Sequence, residues 1–239
     1  HPVGDYTRFY IGYRLESVRH RNVQDPFILS NLNFENGTIS STSFTLANDK
    51  RNNRLETTGG HYIRWNEEVA GIGGNRKFLR SIGEGRLYRK IWGDLTFRTK
   101  LEGGTILDLD RSDGVQRGER FLLGGSNNLR GYTFASVGPP TSTLNRNGDP
   151  YNGGGLHQLI FMSELEYPIA RELGLKFVVF YDAGDSFNRF NEVSIKHDVG
   201  FGFRWFSPLG PLRFEWGYPL KKFGKETESQ FNFMIGPPF

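Results

Sequence analysis

No cysteine occurs in the 239 residues, so neither a disulfide framework nor a thiolate metal site is available to the chain. The 5 histidines are scattered without the spacing of a ligand set, and no metal or other cofactor is expected. No apolar run approaches the roughly 18 residues that a membrane-spanning helix needs. There is no Gly-x-Ser-x-Gly elbow, no phosphate loop ending in Gly-Lys-Ser/Thr and no His-Glu-x-x-His pair, so enzyme chemistry finds no foothold. Gly83-Glu84-Gly85 and Gly71-Ile72-Gly73-Gly74 lack the strand-to-helix setting of a dinucleotide site and read as strand ends and kinks. One-sided charge is missing too. The 30 basic and 26 acidic residues, net +4 with a pI near 9.3, are interleaved along the whole chain, which argues against a nucleic-acid partner. With neither an initiator Met nor a signal peptide at His1, the chain reads as a mature product or an internal piece of something longer.

What is abundant is glycine and aromatic residues: Gly 31, Phe 21, Tyr 10 and Trp 4, against a mean hydropathy of −0.51. An ordinary soluble core would lean on Leu, Ile and Val instead. Length alone allows one large all-β domain or two smaller ones, but period-2 alternation recurs and helical periodicity is almost absent. Val199, Phe201, Phe203 and Trp205 fall on one face, with Asp198, Gly200, Gly202 and Arg204 on the other. Likewise Leu212, Phe214, Trp216 and Tyr218 oppose Arg213, Glu215 and Gly217, while Leu159, Phe161, Leu165 and Tyr167 oppose Glu164 and Glu166. At the end of the chain Phe231, Phe233 and Ile235 oppose Gln230, Asn232 and Gly236.

An aromatic face backed by a polar, glycine-rich one fits an antiparallel transmembrane β-barrel, lipid outside and a hydrated or plugged lumen inside. A lipocalin-like barrel or a sandwich is the soluble competitor. Trp205, Phe214, Trp216, Phe231 and Phe233 are then expected to meet lipid. Alternation places about ten strands, near 7–18, 37–48, 59–70, 76–90, 93–104, 155–168, 173–183, 196–207, 210–219 and 229–236. The turn Ser207-Pro208-Leu209-Gly210 suits a tight reversal. Segment 104–153 is far longer than the roughly 12–15 residues above which a connection is usually functional or disordered. It holds Gly-Gly-Ser-Asn-Asn-Leu-Arg-Gly-Tyr-Thr-Phe (124–134), a lone arginine bracketed by glycines.

The runs GGSNNLRGYTFASVGP (124–139), VVFYDAGD (178–185), GFGFRWFSPLGPLRFEWGYPL (200–220) and FNFMIGPPF (231–239) together resemble the C-terminal barrel of BamA-like outer-membrane assembly proteins, the BamA/TamA superfamily. NDKRNN (48–53) and ERFLLGG (119–125) add weaker support. The resemblance implies a partial barrel over 1–239, about the last ten strands of a sixteen-strand fold, with loop 104–153 folded into the lumen. It implies residence in the bacterial outer membrane, contact with outer-membrane lipid, unfolded outer-membrane proteins as clients and accessory assembly lipoproteins as partners. Relatives in the superfamily leave two alternatives: a two-partner-secretion pore, or the barrel anchor of a patatin-type lipase.

The family motif is usually Val-Arg-Gly followed by Phe or Tyr, here Leu129-Arg130-Gly131-Tyr132, with Gly124 and Gly125 ahead of it. By resemblance Arg130 turns into the lumen to meet Asp182 and either Glu166, the match to the family pattern, or Glu164 on the same inward face. A guanidinium can bridge carboxylates with a geometry that lysine cannot reproduce. Glycines 124, 125 and 131 would let the backbone turn sharply at the tip. The family's closing seam involves the last strand. Here that strand ends in Ile235-Gly236-Pro237-Pro238-Phe239, and the prolines cannot donate to a ladder. Phe231, Phe233, Ile235 and the terminal Phe239 alternate as an assembly signal does.

Overall fold

The computed structural model describes residues 1–19, 36–110, 114–144, 150–208, 210–221 and 228–239. Leu209 of the expected tight turn, and 111–113 and 145–149 of the expected loop, lie outside the described residues. In chain order the strands are β1 (Thr7–Val18), β2 (Gly37–Asp49), β3 (Gly60–Ala70), β4 (Phe78–Trp92), β5 (Leu95–Asp108), β6 (Pro140–Leu144), β7 (Pro150–Asn152), β8 (His157–Ala170), β9 (Leu175–Phe187), β10 (Lys196–Ser207), β11 (Gly210–Pro219) and β12 (Gln230–Ile235). Ten of them form one antiparallel sheet in the order β1-β2-β3-β4-β5-β8-β9-β10-β11-β12, an open partial barrel. Strands β6 and β7 pair only with each other, within the connection that joins β5 to β8. Among the described residues no helix is long and apolar enough to cross a membrane.

Alternation sorts every wall strand into two faces. On the outer face the aromatic residues meet across the ladder: Phe201 stacks on Trp216 with ring centroids 5.7 Å apart, Trp216 meets Phe231 at 4.9 Å, and Phe214 meets Phe233 at 5.1 Å. The registers Phe201↔Trp216, Trp216↔Phe231 and Phe214↔Phe233 bring each pair opposite one another, and such pairs contribute about 0.5–1.5 kcal/mol beyond area burial. Trp205, Phe231 and Phe233 are exposed on this face, as are Leu159, Phe161, Leu165 and Tyr167. The inner face instead buries Glu164, Glu166, Asp182, Asp198, Arg204 and Glu215.

The apolar core lies between the inner wall and the loop that fills the lumen. Ile39, Ala70, Phe78 and Ile106 of the wall close over Val115 and Phe121 of the loop. Ile160 and Met162 of β8 pack against Leu123, Leu129, Tyr132 and Val137. The loop is also stitched down by backbone bridges, Phe121 to Gly155 and Leu123 to Val137.

One strand bound and one reading of glycine need correction. Strand β5 runs on to Asp108, so the long connection begins at 109 and not at 104. A Cβ on Gly104 would stand 2.6 Å from the ring of Phe121, so this glycine, inside β5, seats the loop's aromatic. Gly83 and Gly85 likewise sit inside β4, whereas Gly71, Gly73 and Gly74 do lie in the connection after β3.

The connections differ by end. At one end, 93–94, 171–174 and 208–209 are tight; at the other lie 71–77, 109–156 and 188–195. Bacterial barrels keep short turns on the periplasmic side and longer loops outside, which makes 50–59, at the tight end, a long turn among short ones.

Candidate functional site

Arg130 projects from the loop onto the inner wall and is wholly buried. Its Nε and Nη2 donate to Asp182 Oδ2 and Oδ1 of β9, each at 2.7 Å, a two-pronged contact. Nη1 donates to Glu164 Oε1 of β8 at 2.6 Å and to Glu215 Oε2 of β11 at 3.3 Å. The guanidinium carbon lies 3.6 Å from the ring centroid of Phe180, which shares the inward face of β9 with Asp182. Burial by itself would lower the guanidinium's pKa, but the charges of Asp182 and Glu164 outweigh it and raise the pKa above its ordinary value.

Glycine on both partners permits this approach. A Cβ on Gly131 would fall 2.5 Å from Asp198 Cβ, and one on Gly217 of β11 would fall 2.5 Å from the Arg130 carbonyl. Gly131 therefore serves close approach, while the sharp turning belongs to Gly124 and Gly125, at φ +106° and +101°. Leu129 sits in the buried apolar cluster. The Tyr132 hydroxyl lies 3.0 Å from the His197 carbonyl and 2.8 Å from that of Lys221, and donates to one at a time.

Glu166 is not bonded to Arg130. Arg98 Nη2 of β5 donates to its Oε1 at 2.9 Å and Arg204 Nη1 of β10 to its Oε2 at 2.9 Å. Of the two glutamates on that face it is Glu164 that meets Arg130. Arg204 is the hub that alternation put on the inner face without naming a role: it also donates to Glu164 Oε1 at 2.7 Å and to Glu215 Oε1 at 2.8 Å. Glu215 too was on the correct face in the sequence, but nothing local assigns it to Arg130. A further group emerges at Glu119, in the ERFLLGG run, where Arg80 Nη2 donates at 2.7 Å and Arg14 Nη2 at 3.2 Å.

The last strand carries its own link to the loop. Asn232 Nδ2 of β12 donates to the Arg130 carbonyl at 2.9 Å. Phe231, Phe233 and Ile235 point outward and are exposed. Phe239 departs from their alternation: the strand stops at Ile235, Gly236 takes φ +134°, and Phe239 packs against the loop's apolar cluster.

Comparison with known proteins places this geometry. The model of the Omp85 superfamily domain matches residues 1–239. Outer membrane protein assembly factor BamA of Nitratidesulfovibrio vulgaris is 30% identical over 250 residues, 100% of this chain and 30% of that protein. The sorting and assembly machinery component 50 homolog of Bos taurus is 33% identical over 120 residues, 49% of this chain and 25% of that protein. The crystal structure of BamA from Haemophilus ducreyi lacking POTRA domains 1-3 superposes with a TM-score of 0.79 at 20% identity, covering 99% of this chain and 52% of that one. The chain thus spans about a third or less of the curated relatives it matches. Because the family match extends over every residue, the chain belongs to the Omp85 superfamily and is an outer-membrane β-barrel protein.

Proposed function

We propose that residues 1–239 are one partial barrel domain of an outer-membrane protein assembly factor, which folds other barrels and inserts them through an opening seam at its last strand. The observation that carries the reading is a match to an assembly factor along the whole chain, at 30% identity. The physical problem such a factor solves is the unfolded strand in lipid, whose unpaired N–H and C=O groups cost several kcal/mol each. A free strand edge offers those groups partners. Three features of β12 suit it to that role. At 6 residues it is the shortest strand of the sheet, it has β11 as its one strand neighbour among the described residues, and it stops at Ile235 with Gly236, Pro237 and Pro238 beyond. In this reading the outer aromatic face meets outer-membrane lipid, the clients are unfolded outer-membrane proteins, and accessory lipoproteins are the partners. Arg130, Glu164 and Asp182 hold the loop in the lumen and take no chemical part.

Depletion of the full-length protein from its own cells tests the proposal. Heat-modifiable, folded barrels should disappear from the outer membrane, and the complete gene supplied in trans should restore them. Undiminished folded barrels after depletion would remove the assembly role.

A further inference from the structure

The turn 50–59 is long for its end of the barrel, and it does not hang free. Asn52 Oδ1 accepts from the backbone N–H groups of Asn53, Thr58 and Gly59 at 2.9, 3.1 and 3.2 Å, and Thr57 Oγ1 donates to the Asn53 carbonyl at 2.5 Å. Such side-chain-to-backbone bonds hold a turn in one shape. So braced, it folds under the lumen and meets two strands that are not its neighbours. Arg98 Nη2 of β5 donates to the Thr57 carbonyl at 3.0 Å, and Lys176 Nζ of β9 lies 2.9 Å from Glu56 Oε1.

Those same two cations hold Glu166 of β8, Arg98 at 2.9 Å and Lys176 at 3.3 Å. Glu166 passes to Arg204, and Arg204 to Glu164 and Glu215, the carboxylates that also bind Arg130. An unbroken series of ion pairs therefore runs from the turn at the periplasmic end to the loop that enters from the other. Beyond Glu56, each carboxylate along it, Glu166, Glu164 and Glu215, is shared by at least two cations, so the cations compete.

We propose that the turn 50–59 is a control element for the loop. Seated, Glu56 and the Thr57 carbonyl share Lys176 and Arg98 with Glu166 Oε1, so neither cation bears on Glu166 alone and its Oε2 holds Arg204. When the turn is lifted, both cations are left to Glu166 alone, its hold on Arg204 weakens, and Arg204 bears more strongly on Glu164 and Glu215, which it already shares with Arg130, loosening the hold of Arg130. Anything that engages the turn from the periplasmic side then shifts the loop by its difference in affinity for the two states. Spatial continuity is not itself coupling, which only an energetic test can supply.

The absence of cysteine from residues 1–239 provides the readout. In the full-length protein, with any cysteine outside this region changed to serine, Leu129→Cys places a thiol at a position that is 0% exposed and shielded while the loop is seated. Glu56→Lys should raise its maleimide-labelling rate by roughly two- to fivefold, the range set by one half-exposed ion pair. Adding Lys176→Glu should return the rate toward that of the parent. An unchanged rate in Glu56→Lys, or a rise that the swap fails to reverse, overturns the proposal. Glu56 is half-exposed, and a variant that does not run as a folded barrel on unheated gels is replaced by Glu56→Gln, with the same expected direction. The readout is exposure of the loop and not assembly of clients, so its result stands apart from the assembly role.

Discussion

Among the described residues, ion pairs hold the lumenal loop at two places on opposite parts of the wall, and they are built with reversed charge. At Arg130 the loop supplies the cation and strands β8, β9 and β11 supply carboxylates, all of them 0–1% exposed at the side chain. At Glu119 the loop supplies the anion, and Arg14 of β1 and Arg80 of β4 supply the cations, with side chains exposed by 37% and 15%. The chemistry is the same and the surroundings are not. A buried charge depends wholly on its partners, whereas a half-exposed one falls back on water. The comparison implies a fixed anchor on the β8–β11 side and a yielding one on the β1–β4 side.

Removing Arg130 should have the larger effect. Arg130→Ala strands Asp182 in a buried site and leaves Glu164 and Glu215 to Arg204, at a cost of about 3–5 kcal/mol, nearer the lower figure where lumen water can reach Asp182. Urea unfolding of the full-length protein in micelles measures it. Arg130→Lys should recover less than half of the loss, because an ammonium cannot make the paired contact to both oxygens of Asp182. A lysine variant as stable as the parent would show that net charge alone suffices there.

The strands and their faces were legible in the sequence because alternation is a local signal and one face of this wall is apolar along its length. The partner of Arg130 was legible only to within two residues. Glu164 and Glu166 share a face roughly 7 Å apart along one strand, and what separates them is that Arg98 and Arg204, from β5 and β10, claim Glu166. That choice needs the register of two other strands. The end of β5 was placed too early for the same reason: the contact that gives Gly104 its place in the strand, with the ring of Phe121, arrives from a loop 17 positions on. Phe239 belongs to the same class, since alternation continues only as far as the ladder does, and Gly236 ends it.

Glu119→Gln keeps the shape and one acceptor while removing the charge. It should cost about 1 kcal/mol in the same unfolding experiment, because Arg80 and Arg14 both retain Glu68 as a partner, at 3.0 and 2.9 Å. A loss as large as that of Arg130→Ala would break the distinction between the two anchors and make the β1–β4 side equally fixed.

The smallest effect is also the most discriminating. Arg14→Gln removes the most exposed member of the second anchor, whose guanidinium also faces Glu16 at 3.2 Å at the rim of the lumen. Its cost should stay below about 1 kcal/mol. The screening length falls from about 10 Å near 0.1 M salt to about 3 Å near 1 M, so the difference between Arg14→Gln and the parent should shrink toward nothing over that range. The difference for Arg130→Ala should persist, because ions do not enter a site whose groups are fully covered by the loop and the wall. Unfolding at the two salt concentrations, for the parent and both variants, decides the matter. Parallel salt dependence in the two variants would mean that the Arg130 site is open to solvent ions, and that exposure does not separate the two anchors.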